Sequence, residues 1–343
     1  MATTSERAAS RGVRLWLRAF VGFYPPQDRS VQQLDPVARF LFSARSVILV
    51  ISAQAAIIAG LLASTDRRFD AVFFVLVLIG FVTAHMISNL LNDYFGHTRG
   101  DDTPDSPRMR YTVHPFASGA LDRQTFLVGI GILAAIGTAI VLYFWVTNGP
   151  GPLAFAVAGL AVLYLYDAAP RTLKSIGLGE IASFLVWGPL MIGGGYFVIT
   201  GQLSATPFLA SIPYGLGVMS ILMGKHIDQI DFDGPHGHRT LPVILGERVA
   251  RRFNQAIVVT MYLTVALFVA LGRITPFALL IIVALPRARR ALSVMGKPRP
   301  DAPPPGYVGW PLWYHRVSLV HNRLFGWTYI AGLAIGAILS GIR

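Results

Sequence analysis

The sequence predicts an all-α polytopic membrane protein, with about nine transmembrane helices in one bundle around a central cavity. Hydrophobic residues make up 54% of the 343 residues, and charged residues only 13%. The mean hydropathy is +0.56, whereas a soluble domain carries about 25% charged residues. The apolar residues also fall into long runs between polar segments, which is the pattern of a chain that crosses a bilayer repeatedly.

Nine apolar segments are assigned as spanning helices. They lie at residues 46–64, 71–92, 124–146, 151–167, 178–199, 206–226, 254–272, 274–287 and 324–342. The eighth is the weakest, because about 20 apolar residues are needed to cross a bilayer without tilt. Residues 1–40 are polar and Arg-rich with aromatic patches, which predicts a cytoplasmic tail that includes an amphipathic interfacial helix. Residues 41–343 then form a single transmembrane domain.

The Lys and Arg residues lie between the apolar segments rather than on one basic face. With the N-terminus inside, all but four of the 29 Lys and Arg fall in inside segments, the exceptions being Arg67, Arg68, Arg273 and Arg343. This is the positive-inside pattern of a membrane protein. It accounts for the net charge of +12 without a nucleic-acid partner, and it predicts an integral protein of the inner or cell membrane. The long polar connections, and the active site with them, are expected on the cytoplasmic side.

Two acidic clusters follow the ends of apolar segments. The first acidic cluster is Asn89–Asp105, NLLNDYFGHTRGDDTPD, and the second acidic cluster is Asp228–Asp233 in GKHIDQIDFDGPHGHRT. His85, Asn89, Asn92 and Asp93 follow one another at helical spacings of three and four and share one face. Such a polar face is costly at a membrane boundary unless it lines a polar cavity. The predicted topology puts both clusters on one side. We therefore predict that they face each other and hold metal ions against a diphosphate.

The residue types in these clusters indicate a hard cation. Carboxylate and amide oxygens in a chain without cysteine suit Mg²⁺ first, and Mg²⁺ usually bridges carboxylates to substrate phosphates. The candidate metal ligands are Asn92, Asp93, Asp101, Asp102, Asp228, Asp231 and Asp233. The candidate substrate-binding residues are Asn89, Asn92, Arg45, Arg108, Arg110, Lys174, Lys225 and Arg239. The lack of cysteine also excludes disulfides, thiol catalysis and Cys-ligated metals.

A simpler interpretation of each feature stands beside the functional one. DDTPDSP and DFDGP contain good turn-forming residues, so either acidic loop taken alone is compatible with a solvated turn. Asp167 and Glu180 are more typical of helix ends than of metal ligands, and His85 is more typical of helix packing than of catalysis. Two acidic loops on the same predicted side favour a site.

The residues around these clusters resemble a known family. NLLNDYFGHTRGDDTPDS is similar to the first Asp-rich motif of the UbiA superfamily of intramembrane prenyltransferases. It most resembles the menaquinone-biosynthesis branch, the 1,4-dihydroxy-2-naphthoate polyprenyltransferases, whose motif runs N-D-Y-x-D-x-x-x-G-x-D. HPFASGAL, YLYDAAPRTLKSIGLGEIASFLVWGPLMIGGGYFVITGQLS and HIDQIDFDGPHGHRTLPVILG resemble further segments of that branch, and the resemblance covers roughly residues 40–272. It implies nine helices and Mg²⁺-dependent transfer of a polyprenyl chain from its diphosphate to an aromatic acceptor.

The sequence departs from the family pattern at positions that bear on the chemistry. Gly96 stands where the first motif has a metal-binding Asp, and Gln229 stands where the second motif has its first Asp. His114 replaces an Arg, and His238 replaces a Lys. The residues that fit the motifs are Asn92, Asp93, Gly100, Asp102 and Asp233. Neighbouring acids are candidates to substitute, and an altered metal site, a different substrate and lost catalysis all stay open.

The resemblance implies a mechanism. The diphosphate of an allylic donor is held by Mg²⁺ and by Arg and Lys side chains, so that the C–O bond ionises and an aromatic carbon attacks the cation. The first choices for the catalytic, metal-holding residues are Asp93, Asp102 and Asp233. Arg110 and Lys174 are the first choices for the diphosphate.

Three alternatives remain. An enzyme on the same scaffold would cyclise the chain or use a non-aromatic acceptor. A non-catalytic, isoprenoid- or quinone-binding relative is favoured by Gly96 and Gln229. A transporter would place charges midway through its helices, whereas these acids lie at helix ends. The partners expected for the main hypothesis are polyprenyl diphosphate, an aromatic or other lipid-precursor acceptor, and membrane lipid.

Overall fold

The computed structural model describes residues 12–21, 29–307 and 309–342, and these residues form helices without any strand. The α-helices are Val13–Val21, Pro36–Ser43, Val50–Thr65, Ala71–Arg99, Arg108–Tyr111, Arg123–Asn148, Gly151–Leu163, Gly179–Leu185, Gly194–Thr200, Ala205–Asp228, Ile230–Asp233, Leu241–Leu245, Glu247–Ala270, Leu285–Met295 and Tyr314–Ile342. Short 3₁₀ helices are Arg29–Gln33, Ser46–Ile48, Leu173–Ile176 and Pro276–Ala284. Two π-helical segments, Tyr164–Ala168 and Val186–Gly193, continue α-helices.

Eight helices in the described ranges are long and apolar enough to cross a bilayer. They are Ser46–Thr65, Ala71–Arg99, Arg123–Asn148, Gly151–Ala168, Gly179–Thr200, Ala205–Asp228, Glu247–Ala270 and Tyr314–Ser340. Eight of the nine predicted segments coincide with them. The short segment 274–287 instead divides between the 3₁₀ helix Pro276–Ala284 and the start of Leu285–Met295. The all-α membrane fold is thus confirmed, and the central cavity stays a prediction.

The chain divides into two compact units. The first unit contains Met1–Val50, Val82–Ala139 and Pro303–Pro311, and the second contains Ile51–Phe81, Ile140–Ala302 and Leu312–Arg343. The first acidic cluster belongs to the first unit, and the second acidic cluster belongs to the second unit. That the two clusters face each other therefore stays a prediction.

The N-terminal part of the first unit is an amphipathic helix packed on its own core. Leu15 and Ala19 of Val13–Val21 are buried, whereas Val13 and Val21 are 61% and 73% exposed. The Asp35 side chain caps Pro36–Ser43 by accepting the Ala38 N–H at 2.9 Å. An apolar face directed outward is typical of a helix at a membrane surface. The interfacial role, the boundary at residue 40 and the cytoplasmic side stay predictions.

The helix that carries the first acidic cluster is held by a second core in the same unit. Leu90, next to Asn89, is fully buried and packs with Phe126 and Leu133 of the following helix. Asp122 caps that helix, because its Oδ1 accepts the Thr125 N–H at 2.7 Å. The end of Ala71–Arg99 therefore has a rigid support.

In the second unit, Ala205–Asp228 packs against Glu247–Ala270, Tyr314–Ile342 and the π-helical segment Val186–Gly193. Gly224 permits the close approach of the last helix, because a Cβ there would lie 2.8 Å from the Tyr314 and His315 backbone. Asp228 then caps that helix, and its Oδ1 and Oδ2 accept the N–H groups of Tyr314 and His315 at 3.0 and 2.9 Å. The second acidic cluster therefore begins at a junction of two long helices.

Candidate active site

The first acidic cluster is built around Asp93, whose side chain is completely buried near the end of Ala71–Arg99. Arg108 donates to both carboxylate oxygens, through Nε to Oδ1 at 2.8 Å and through Nη2 to Oδ2 at 2.5 Å. Arg45 donates to the same Oδ1 through Nη2. A buried carboxylate is tolerated when it is paired and hydrogen-bonded in this way. Asp93 therefore holds two guanidinium groups side by side.

Arg45 sits in an unusual backbone conformation, with φ +54° between a short helix and a 3₁₀ turn. This left-handed region costs a non-glycine residue about 1–3 kcal/mol unless the surroundings hold it. The Asn89 Nδ2 donates to the Ala44 carbonyl at 3.0 Å, and the Asn92 Oδ1 accepts from Nη2 of Arg45 at 3.3 Å. The two predicted asparagines thus fix the turn and the side chain of Arg45.

Arg108 ties the loop after Ala71–Arg99 to the helix end. Its Nη1 donates to the Thr112 carbonyl at 3.1 Å, and its Nη2 also donates to the Val113 carbonyl at 2.9 Å. Burial alone would lower the pKa of Arg108, but the Asp93 carboxylate more than reverses this and raises the pKa above its ordinary value. Arg108 stays charged, and its orientation is fixed at every nitrogen.

Asp102 lies beside this pair, and the buried His114 holds it. The His114 Nε2 lies 3.3 Å from Oδ2 of Asp102, whose side chain is 15% exposed. Burial raises the pKa of Asp102, but the hydrogen bond from His114 together with the charge of Arg108 outweighs it, so the pKa lies below the ordinary value. Ligand atoms of Asp93, Asp102 and His114 lie within 4.8 Å of one another, and within the described residues this is the one group of that kind.

The rest of the first cluster is nearer to solvent. Asp101 is half-buried and Asp105 is exposed. Arg110 is exposed, and its Nη2 donates to the Asp105 carbonyl at 3.3 Å. Arg110, the first choice for the diphosphate, is therefore at the surface, whereas Arg45 and Arg108 contact Asp93.

The three acids of the second cluster have different surroundings. Asp228 uses both oxygens to cap the last helix, whereas Asp231 is 89% exposed and lies 3.9 Å from Arg299. Asp233 is buried, and no described residue donates a hydrogen bond to its Oδ2. Burial raises the pKa of Asp233 despite the opposing positive charges nearby. Asp233 is therefore the acid of this cluster with an unused, desolvated oxygen.

Cations of the second unit lie within electrostatic range of Asp233. Lys225 and Lys174 are half-buried, and both act to lower the pKa of Asp233 against the larger effect of burial. Arg239 is exposed, and its backbone N–H donates to the Ser175 carbonyl at 3.2 Å. The roles of these three cations in substrate binding stay predictions.

One buried pair was missed by the sequence reasoning. The completely buried Glu180, predicted only as a helix-end residue, lies 2.7 Å through Oε1 from Nδ1 of the buried His226. No described residue donates a hydrogen bond to its Oε2. The sequence did carry a signal, because Glu180 ends the KSIGLGE stretch that resembles the family and His226 is next to the candidate Lys225.

Comparison with known proteins identifies the family of this chain. A sequence profile of the UbiA prenyltransferase family matches residues 53–305. The chain belongs to the UbiA prenyltransferase family. The prenyltransferase class, the integral membrane location and the resemblance noted from the motifs are thereby confirmed. The match argues against the transporter alternative.

Individual relatives give this UbiA-family assignment more detail. The 1,4-dihydroxy-2-naphthoate octaprenyltransferase of Escherichia coli is 26% identical over 243 residues, 69% of this chain and 78% of that relative. The digeranylgeranylglyceryl phosphate synthase of Thermococcus gammatolerans is 29% identical over 205 residues, 57% of this chain and 68% of that relative. A UbiA homolog from Archaeoglobus fulgidus, solved bound to GPP and Mg²⁺, aligns with a TM-score of 0.58 at 14% identity. That alignment covers 86% of this chain and 99% of the homolog, and it shows a shared fold.

The UbiA-family chain has carboxylate oxygens that fit Mg²⁺, but not every acid of the two clusters offers a free one. Both oxygens of Asp93 are taken by guanidinium groups, and both oxygens of Asp228 are taken by helix amides. The partly exposed carboxylate of Asp102 and the unpartnered Oδ2 of Asp233 remain. Carboxylate oxygens of this kind are the donors that Mg²⁺ prefers. The donor set therefore fits the ion within each unit, at Asp102 in the first unit and at Asp233 in the second.

Proposed function

We propose that this UbiA-family prenyltransferase moves a polyprenyl chain from its diphosphate to an aromatic, quinone-precursor-like acceptor in a Mg²⁺-dependent reaction. The observation that supports it best is the pair of guanidinium groups held on the buried Asp93 beside the Asp102 carboxylate. Two fixed cations next to an oxygen donor suit a diphosphate with its metal. The substrates are proposed from the relatives named above, which share the family but only part of the sequence.

In this proposal Arg45 donates to the diphosphate, and Arg108, whose Nε and Nη2 already donate to Asp93 and the Val113 carbonyl, adds a fixed positive charge beside it. The Nε of Arg45 is buried, and no described residue accepts its hydrogen bond. A buried guanidinium donor without an acceptor is unfavourable, and a phosphate oxygen would satisfy it. Asp93 positions both arginines and is a positioning residue, whereas the sequence had assigned it to the metal.

In the first unit Asp102 would hold Mg²⁺, with Asp101 as a further oxygen donor near it, and in the second unit Asp233 would do so. When bound, Mg²⁺ supplies positive charge to the departing diphosphate. The C1–O bond of the donor breaks with its electron pair on the diphosphate. The new bond forms between C1 and a ring carbon of the acceptor, and the ring loses one proton.

The Glu180–His226 pair is the proposed acceptor of that proton. The Glu180 carboxylate accepts from Nδ1 of His226, which leaves the lone pair on Nε2. A carboxylate that orients an imidazole in this tautomer is a recurrent arrangement for a general base. We expect His226→Gln to slow transfer to the acceptor while binding of the diphosphate is kept.

A second candidate is a non-aromatic acceptor on the same scaffold. It is favoured by the 29% identity to digeranylgeranylglyceryl phosphate synthase, which is higher than the 26% identity to the naphthoate enzyme. The longer alignment, 243 against 205 residues, favours the aromatic acceptor.

The experiment uses purified membranes and a labelled polyprenyl diphosphate with either acceptor class. Asp102→Asn and Asp233→Asn are each expected to lose most transfer, because each removes a carboxylate charge from the metal. Asp122→Asn is the matched control, because Asp122 is an acid of the first unit that only caps a helix and Asn also caps well. Full transfer by both Asn variants would refute the metal assignment.

A further inference from the structure

A side chain at position 96 would have to displace the Asp102 carboxylate. A Cβ at this position would lie 2.1 Å from Oδ2 and 2.8 Å from Cγ of Asp102. The Asp102 N–H also donates to the Gly96 carbonyl at 3.0 Å. The Asp102 carboxylate therefore lies directly on the helix where the side chain of residue 96 would begin.

His114 keeps the carboxylate there. Its Nδ1 accepts the backbone N–H groups of Phe116 and Ala117 at 3.3 and 3.2 Å. An Nδ1 that accepts two hydrogen bonds carries no proton, so the neutral ring carries its proton on Nε2, which faces Oδ2 of Asp102. The turn after His114 thus selects the tautomer that donates to Asp102.

The same turn argues against His114 as a metal ligand. Ligation through Nε2 would move the proton to Nδ1, where it would oppose two N–H donors inside a completely buried site. The close approach of His114 to Asp93 and Asp102 is therefore a hydrogen-bond arrangement, although its distances would suit a metal ion.

We propose that Gly96, Asp102 and His114 act as one unit, in which His114 positions Asp102 in the space of a residue-96 side chain so that Asp102 supplies the metal-binding oxygen of the first acidic cluster. The proposal rests on the proposed function and extends it, because it identifies a positioning residue for the metal site. It explains why two departures from the family motif, Gly96 and His114, occur together in this chain. The two departures compensate each other.

The proposal predicts that a carboxylate carried by residue 96 can replace the one carried by Asp102. The test measures Mn²⁺ binding to the purified full-length protein with a geranyl thiolodiphosphate that does not ionise readily. Gly96→Asp alone is expected to weaken binding because it collides with Asp102. The double variant Gly96→Asp/Asp102→Gly is expected to regain most of the affinity, and Asp102→Gly alone is not.

His114 gives the decisive contrast. In the wild type, His114→Ala is expected to weaken Mn²⁺ binding about 10- to 100-fold, as loss of a partner behind a ligand does. In the Gly96→Asp/Asp102→Gly background the same change is expected to have no effect, because the carboxylate no longer depends on His114. An equal loss in both backgrounds would show a general structural role and overturn the proposal.

A spectroscopic measurement covers the case in which a variant folds poorly. In protein with ¹⁵N-labelled histidine, Nδ1 of His114 is expected to be unprotonated and Nε2 protonated, with and without Mg²⁺. A proton on Nδ1, or its appearance on adding Mg²⁺, would contradict the inference. If the wild type binds no metal with the diphosphate analogue, the proposed function fails; if it does and the contrast is absent, only this inference fails.

Discussion

At the scale of single residues, the acids of the two clusters have separate tasks. Asp93 holds Arg45 and Arg108, and Asp228 caps a helix, whereas Asp102 and Asp233 are the acids that we propose for the metal. The division follows from what each carboxylate contacts. Carboxylates already saturated by guanidinium or amide donors have little to offer a cation.

Removal of the Asp93 charge should strongly destabilise the protein. Asp93→Asn leaves two guanidinium groups without a buried counter-charge, and breaking a buried ion pair costs about 3–5 kcal/mol. Unfolding of purified protein in detergent measures this loss. Asp231→Asn is the control, since Asp231 is 89% exposed and should change stability little. A loss for Asp93→Asn as small as that of the control would refute the assigned role.

Removal of the Asp233 charge should have the opposite effect and stabilise the metal-free protein. Burial raises its pKa above the ordinary value of 3.8, so the folded state binds the proton more tightly than the unfolded state. The charged form therefore opposes folding, and this penalty is absent below pH 3.8 and complete once the pH exceeds the folded pKa.

Asp233→Asn should accordingly raise the melting temperature of the metal-free protein at neutral pH. The rise in melting temperature that Mg²⁺ produces in the wild type should be lost in this variant. Thermal unfolding with Mg²⁺ and with a chelator measures both effects. A metal-free variant that is less stable than the wild type would contradict the account.

The sequence predicted which residues of the first cluster lie together, but not which partner each side chain contacts. Arg45, Asn92, Asp93, Asp102 and Arg108 were all predicted for one site, and the structure brings them together. Spacing along a helix defines a face, but it does not state which partner a carboxylate takes. The loop 100–122 decides that, because Arg108 and His114 reach back to the helix end.

At the scale of elements, Asp228 connects two helices that lie far apart in the chain. It ends Ala205–Asp228 and caps Tyr314–Ile342, 86 residues later. No local sequence pattern indicates a helix cap from a residue so distant in the chain. Asp228 was therefore predicted to be a metal ligand. Helix ends whose partner is near, such as Asp35 and Asp122, carry the usual local signal of an acid just before the helix.

Asp228→Ala should therefore destabilise the protein by about 0.5–2 kcal/mol, the usual cost of a lost helix cap, and Asp228→Asn should cost less. Detergent unfolding measures the change, and transfer activity per folded molecule should be kept. Loss of Mg²⁺-dependent activity at unchanged stability would instead identify Asp228 as the metal ligand that the sequence predicted.

At the scale of the whole molecule, the apolar pattern correctly predicted the eight long apolar helices of the described residues, since length and hydropathy alone define them. The pattern does not settle whether residues 274–287 form a ninth crossing. Pro276–Ala284 is a 3₁₀ helix that continues into Leu285–Met295, which carries arginines. Short segments with mixed polarity carry too little signal to settle a crossing.

The chain contains no cysteine, which allows a direct test of topology. Single cysteines at Pro104, His236 and Asp301 should be labelled by a membrane-impermeant thiol reagent only from the cytoplasmic side. Cysteines at Gln202 and Arg273 should be labelled only from outside. Labelling of positions 273 and 301 from the same side would show that residues 274–300 do not cross the bilayer.

The central claim is Mg²⁺-dependent prenyl transfer to an aromatic acceptor. Its most direct test incubates the purified wild type in liposomes with a polyprenyl diphosphate and 1,4-dihydroxy-2-naphthoate, and analyses the extracted lipids by mass spectrometry. The account predicts a lipid in which the prenyl group is joined to the aromatic ring, formed with Mg²⁺ and abolished by a chelator. Transfer that persists without divalent metal, or a donor consumed only to a cyclised product or a product on a non-aromatic acceptor, would contradict it.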